Sequence, residues 1–143
     1  MSGVRVRACT AQVATGTSLK TIMQIIAATN HRIVVPQITV SFEGVTVTDA
    51  PIQVDIYRQT TGGTMTSLTM VKDNEGDDET IQTTATHTAT VEPTKTSLLA
   101  SKLVHAQGRA DFGPFTVIGG GRIGVLVTAG VSVDCIVSAL IEE

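Results

Sequence analysis

The sequence predicts an all-β protein, a jelly-roll-like two-sheet β-sandwich of about eight strands with an extended N-terminal arm, and three observations carry that expectation. Valine, isoleucine and threonine dominate the composition, and side chains branched at Cβ are stiff at χ1 and suit the pleated surface of a strand. Several segments alternate apolar and polar residues, the period of a half-buried strand. Glycine, proline, asparagine and aspartate interrupt these segments at roughly the 8 to 12 residue spacing of a sandwich or barrel. At 143 residues one core is expected, and no linker divides the chain. The expected organisation is an N-terminal arm or first strand over 1–18 and a single β-sandwich domain over 19–143.

Residues 4–9 alternate Val4, Val6 and Ala8 against Arg5, Arg7 and Cys9 before fading into small polar residues. Residues 19–28, LKTIMQIIAA, fit a helical stripe by spacing, but the β-rich surroundings favour a strand with Leu19, Thr21, Met23, Ile25 and Ala27 on one face. After Asn30, the segment HRIVVPQITVSF places Ile38, Val40 and Phe42 inward. Pro36 lacks a backbone donor, so its part of that strand belongs at an edge or a bulge. A polar connection over 43–50 leads to PIQVDIYRQ, with Ile52, Val54 and Ile56 inward and Gln53, Asp55 and Tyr57 outward. Residues 60–63, TTGG, make a turn into a short strand whose Met65, and Leu68 or Met70, reach toward the core.

The run 72–79, KDNEGDDE, has no apolar residue and is expected as an exposed loop. The Thr-rich segment 80–91 is extended by propensity but poor in large apolar groups, which predicts an edge strand or a surface excursion. Further strands are expected around Leu99 to Ala106 and from Phe112 to Ile118. Gly119 to Gly121 form a turn, and RIGVLVTAG reads as a central strand. In the last strand Val131, Val133, Cys135, Val137, Ala139 and Ile141 share a face, while Ile136 and Leu140 stand on the other. That pattern calls for cover on both sides, from within the domain or from a neighbouring subunit.

The net charge of −3 gives no concentrated basic surface, so neither nucleic acid nor membrane is an expected partner. Its distribution is uneven. Arg5, Arg7, Lys20 and Arg32 precede the first acid, Glu43, whereas Asp73, Glu75, Asp77, Asp78 and Glu79 crowd into the middle. Cys9 and Cys135 form no CxxC pair and no secretory signal precedes them, which predicts two reduced, partly buried thiols in a soluble protein made in a reducing compartment. No apolar run approaches the roughly 18 residues of a membrane span.

Several chemistries need residues that this sequence does not supply together. The acids of 73–79 offer hard oxygen ligands, but Gly76 stands at the fourth position of the loop and no acid follows at the twelfth, so the EF-hand spacing fails. His31, His87 and His105 are scattered, and Thr86-His87-Thr88 lacks the paired His and the Glu of a cupin metal site. The run from Gly119 to Gly124 passes into a strand and has no Gly-Lys-Ser/Thr, unlike a phosphate-binding loop. No G-x-S-x-G elbow is present. Phe42, Phe112 and Phe115 sit among apolar strand residues, which leaves Tyr57 alone for stacking on bases or sugars. The expectation is a protein that is not an enzyme, with no cofactor and no metal.

Residues 33–70, IVVPQITVSFEGVTVTDAPIQVDIYRQTTGGTMTSLTM, and 112–142, FGPFTVIGGGRIGVLVTAGVSVDCIVSALIE, resemble the small jelly-roll proteins that decorate or cement the heads of tailed bacteriophages. The similarity lies in an "FEG…TDAP" connection, an "RQTTGGT" hairpin and a glycine-rich turn near the end, with Ile118 where the family turn has Pro. The resemblance implies a virion protein, made in the host cytoplasm, that binds the outside of an icosahedral shell as a homo-oligomer, trimer or dimer, with the major capsid protein as partner. It implies capsid or subunit contacts at Val4, Arg5, Val6 and Arg7, the basic arm lying across an acidic capsid surface or a sister subunit. A glycan-binding or host-attachment sandwich is the alternative of a different class, and a cupin-like enzyme the third.

Overall fold

The computed structural model describes residues 4–43 and 50–143. Among them it contains thirteen strands and no helix: β1 (Arg5–Cys9), β2 (Val13–Ala14), β3 (Lys20–Ile26), β4 (Ile33–Glu43), β5 (Ile52–Gln59), β6 (Thr64–Leu68), β7 (Val71–Lys72), β8 (Thr84–Val91), β9 (Lys95–Val104), β10 (Arg109–Phe112), β11 (Phe115–Val117), β12 (Arg122–Thr128) and β13 (Asp134–Glu142). They form two antiparallel sheets. One has the order β10-β4-β13-β1-β7, with β11 also on β4 and β2 also on β13, and the other the order β6-β8-β3-β12-β5-β9. The chain is thus an all-β sandwich. The excess over eight strands comes from the short β2, β7 and β11 and from the β6–β8 excursion inserted between β5 and β9.

The alternation that predicts the strands also builds the core. Val6, Ile38, Val40, Val137 and Ile141 from one sheet and Ile25, Val54, Ile56, Val125 and Val127 from the other are buried in a single cluster. Cross-strand pairs such as Val40 with Val137 and Val54 with Val127 face the same interior. β3 and β12, each flanked on both sides, are buried through five consecutive residues, 21–25 and 123–127.

Pro36 falls where its missing N–H is harmless. On one side of β4, β10 ends at Phe112 opposite Ile38 and β11 begins at Phe115 opposite Val35. On the other side, the register of β13 shifts between Leu140 and Glu142. The Gly113–Pro114 break therefore interrupts the segment expected as one strand from Phe112 to Ile118. Gly113 is the residue this approach demands, since a Cβ there would stand 2.4 Å from the Pro36 carbonyl oxygen and its φ is 124°.

The strands pair in nested order. The first lies against the last (β1 with β13), then β3 with β12, β4 with β10 and β11, and β5 with β9. The β4–β13 and β5–β12 ladders join these pairs into the two sheets.

Further expectations change. Of the two readings of residues 1–18, the strand forms and the arm does not: β1 is held between β13 and β7, so a boundary at residue 19 would cut through one sheet. Of the two readings of the Thr-rich β8, the excursion fits and the edge strand does not, because β6 covers it on one side and β3 on the other. Met65 is only half-buried and outside the core, where its sulfur accepts a hydrogen bond from Thr86 Oγ1 at 3.6 Å, while Leu68 and Met70 pack against the core. Most of the polar connection over 43–50, residues 44–49, lies outside the described residues.

Candidate interaction surface

The residues singled out at the N-terminus divide by the two-residue period of β1. Val4 and Val6 point into the core and are buried, so they cannot serve as direct contacts with a partner. Arg5 and Arg7 point outward, but neither is free. Arg5 pairs with Glu142 directly across the ladder, and Arg7 Nε lies 2.6 Å from Asp73 Oδ1. The Asp73 N–H also donates to the Arg5 carbonyl at 2.8 Å. The basic start and the acidic middle of the chain thus meet on one sheet edge and offset each other. These half-exposed pairs contribute at most about 1 kcal/mol each.

Beside Arg7, the outer face of this sheet has a shallow depression of about 110 Å³ lined by Cys9, Gln37, Thr39, Ser138 and Leu140. That is well below the roughly 300 Å³ at which small-molecule sites begin, a size reached by other open clefts such as the one of about 300 Å³ lined by Arg58, Gln59, Thr96, Ile118 and Arg122. The two cysteines stand on neighbouring strands with opposite orientations. Cys9, paired in register with Ser138, is exposed, whereas Cys135 is buried. Burial, reinforced by Asp134 and opposed by Lys20, pushes the Cys135 thiol from 9.0 up to about 12.

The outer face of the second sheet is not a bare solvated surface. Gln24, Gln59, Thr21 and Asp55 are buried there along with Leu126. Gln24 Nε2 donates to Gln59 Oε1 at 2.7 Å and to the Thr61 carbonyl at 2.9 Å, and Gln59 Nε2 donates to Thr21 Oγ1 at 3.2 Å. Arg122 donates to Gln24 Oε1 at 3.0 Å, and Glu92 accepts from both the N–H and the hydroxyl of Thr21 at 2.7 Å. Asp55 accepts from Ser101 Oγ and from Gln53 Nε2. Turn 60–63 and the segment after β8 lie over this network, tied together by Thr60 N–H to Thr94 O at 2.9 Å and Thr94 N–H to Thr61 Oγ1 at 2.8 Å. Its polar groups satisfy one another and cement the sheet.

The acidic loop is exposed as expected, apart from a half-buried Asp77. Asn74 closes it by accepting from the Gly76 N–H at 3.1 Å, and the Lys72 ammonium donates to the Asp77 carbonyl at 2.8 Å. Among the described residues no three of His, Cys, Asp and Glu converge on a metal position. His31, His87 and His105 stay apart.

The surface that sequence reasoning missed is β9. It pairs with β5 along one side only and ends its sheet. Leu98 and Leu103 share its outer face, 52% and 71% exposed, because the register shift between Ile56 and Tyr57 brings Leu98 opposite Tyr57. Lys95 lies 4.8 Å from the Tyr57 ring and Lys102 4.9 Å from the Phe112 ring. Lysines usually guard an exposed edge by projecting from it. Both of these are folded onto aromatic rings, and among the described residues no strand pairs with the outer side of β9. No family model, curated protein or solved structure matches the chain.

Proposed function

We propose that the chain is a virion structural protein that binds the outer surface of an icosahedral capsid and ties neighbouring capsomers together, built on a jelly roll. The observation that supports this most is the nested pairing of β1 with β13, β3 with β12, β4 with β10 and β11, and β5 with β9. Such pairing is the connectivity of a long antiparallel ribbon rolled into two sheets, and double-sheet jelly rolls recur in viral capsid proteins. The two stretches that resemble phage decoration proteins meet within it. β4 of 33–70 pairs with β13 of 112–142, and β5 pairs with β12, so the resembling parts form the middle of both sheets.

A cement protein holds a shell by many modest contacts repeated at symmetry-related positions, and an oligomer engaging several at once gains avidity without a deep pocket. In this reading Arg5 and Arg7 exchange their internal partners for capsid carboxylates, while Val4 and Val6 act only by holding β1 in the sheet. The test is co-sedimentation of the full chain with assembled heads. Saturation at a fixed number of copies per shell is expected, weakened by Arg5→Glu with Arg7→Glu. A chain that stays in the supernatant and binds a glycan array would overturn the reading in favour of host attachment.

A further inference from the structure

We propose that β9 is the docking edge for a second copy of this chain, bound head to tail so that the positive charge of Lys95 and Lys102, held on the rings of Tyr57 and Phe112, lies against the acidic 73–79 loop of the next copy. The inference stands on how charge is laid out across the sandwich and does not require capsid binding.

The two lateral edges of the sandwich differ in charge. At one, β9 passes through 105–108 into β10, and Lys102 Nζ donates to the Asp111 carbonyl at 2.5 Å across the gap between sheets. β9 carries two lysines and no acid. At the other edge, β7 ends its sheet and the chain crosses through 73–83 to β8. Residues 72–79 carry five acids and one lysine. Asp73 is engaged by Arg7, and Glu75, Asp78 and Glu79 make no ion pair among the described residues.

Each edge also has apolar surface and unpaired backbone, Leu98 and Leu103 on one and Val71, 61% exposed on β7, on the other. Two copies related by a two-fold axis through β9 would bring lysines against lysines. A head-to-tail contact brings lysines against carboxylates, and it leaves one edge of each kind unsatisfied at the ends. It therefore closes only as a ring of three or more, or grows as a filament.

The test is the mass of the free, full-length protein by sedimentation velocity, with capsids absent, so it is independent of whether heads are bound. The wild-type chain should assemble in low salt, and its association should weaken at least about tenfold in 1 M salt, where the Debye length falls to about 3 Å. Lys95→Glu with Lys102→Glu should be monomeric, as should Glu75→Lys with Asp78→Lys and Glu79→Lys. An equimolar mixture of the two should assemble again. Leu103→Glu, at a position that contributes nothing to the core, gives the same loss should the lysine variant fold poorly. A wild-type chain monomeric up to about 1 mM, the weak end of the affinity scale, would overturn the proposal. So would a loop variant that assembles like the wild type, or a mixture that stays monomeric.

Discussion

The side-chain amide of Gln59 on β5 lies across Gly124 on β12, so close that a Cβ at position 124 would stand 2.2 Å from Gln59 Oε1. Gly124 is opposite Gln24 on β3 and Tyr57 on β5. The Gln59–Gln24 hydrogen bond therefore bridges two strands over the top of the one between them, which only a residue without a side chain permits. Gly124→Ala should destabilise the protein by about 1–3 kcal/mol, because the displaced amide gives up its bonds to Gln24 and Thr21 in a buried site. Denaturant titrations of a double-mutant cycle check this. In a Gln59→Ala background the added methyl should cost much less, with an interaction energy of about 1 kcal/mol or more.

The two thiols should behave as different groups. In native buffer one thiol per chain, Cys9, should react with an aromatic disulfide reagent, and the second only after denaturation. The Cys135 shift also sets a pH dependence. Its thiol ionises near 9.0 in the unfolded chain and near 12 in the fold, so between these values the unfolded state holds fewer protons and stability falls as pH rises. The contribution is complete below about pH 9 and lost through about pH 12, up to about 4 kcal/mol in all. Stability measured against pH should fall less steeply over that window in Cys135→Ala than in the wild type.

Gly113 should be as intolerant as Gly124, for a backbone reason. With φ at 124° and the Pro36 carbonyl 2.4 Å from where a Cβ would sit, Gly113→Ala strains the chain and pushes β10 or β11 off β4. A loss of about 1–3 kcal/mol in urea unfolding is expected. Gly130, beside which a Cβ meets nothing within 4 Å, is the control, and Gly130→Ala should change stability by less than about 0.5 kcal/mol.

The sequence made the sandwich legible wherever one face of a strand is buried. Alternation in β4, β5 and β13 assigned Ile38, Val40, Ile56 and Val137 to the core, Gly119 to Gly121 marked a turn, and Pro36 marked the gap between β10 and β11 beside an unbroken β4. It failed where long-range geometry overrides period. Nothing local shows that β6 returns to cover β8, or that Asp55 and Gln59 on the polar phase of β5 are buried by Ser101 and by turn 60–63. The β9 surface was hidden for a related reason. A register shift puts Leu98 and Leu103 on one face although five positions separate them, which strict alternation assigns to opposite faces. The one available signal for the glutamine bridge was Gly124 in an otherwise apolar strand.

Placing β1 inside a sheet changes what a truncation can test. Deleting residues 1–14 would remove the strand between β13 and β7 and take Val4, Val6 and Ala8 out of the core, so lost particle binding would report unfolding and not a lost contact. Point substitutions separate the two effects. Val6→Ala should cost about 2 kcal/mol from lost burial and a small cavity, and Val6→Asp should prevent folding. Arg7→Ala removes only a half-exposed ion pair to Asp73 and should cost less than about 1 kcal/mol. Urea midpoints measured beside head co-sedimentation then decide the role of the strand. If Arg7→Ala keeps its midpoint and weakens binding, the outward face of β1 is a contact surface; if it keeps both, that face has no part in attachment.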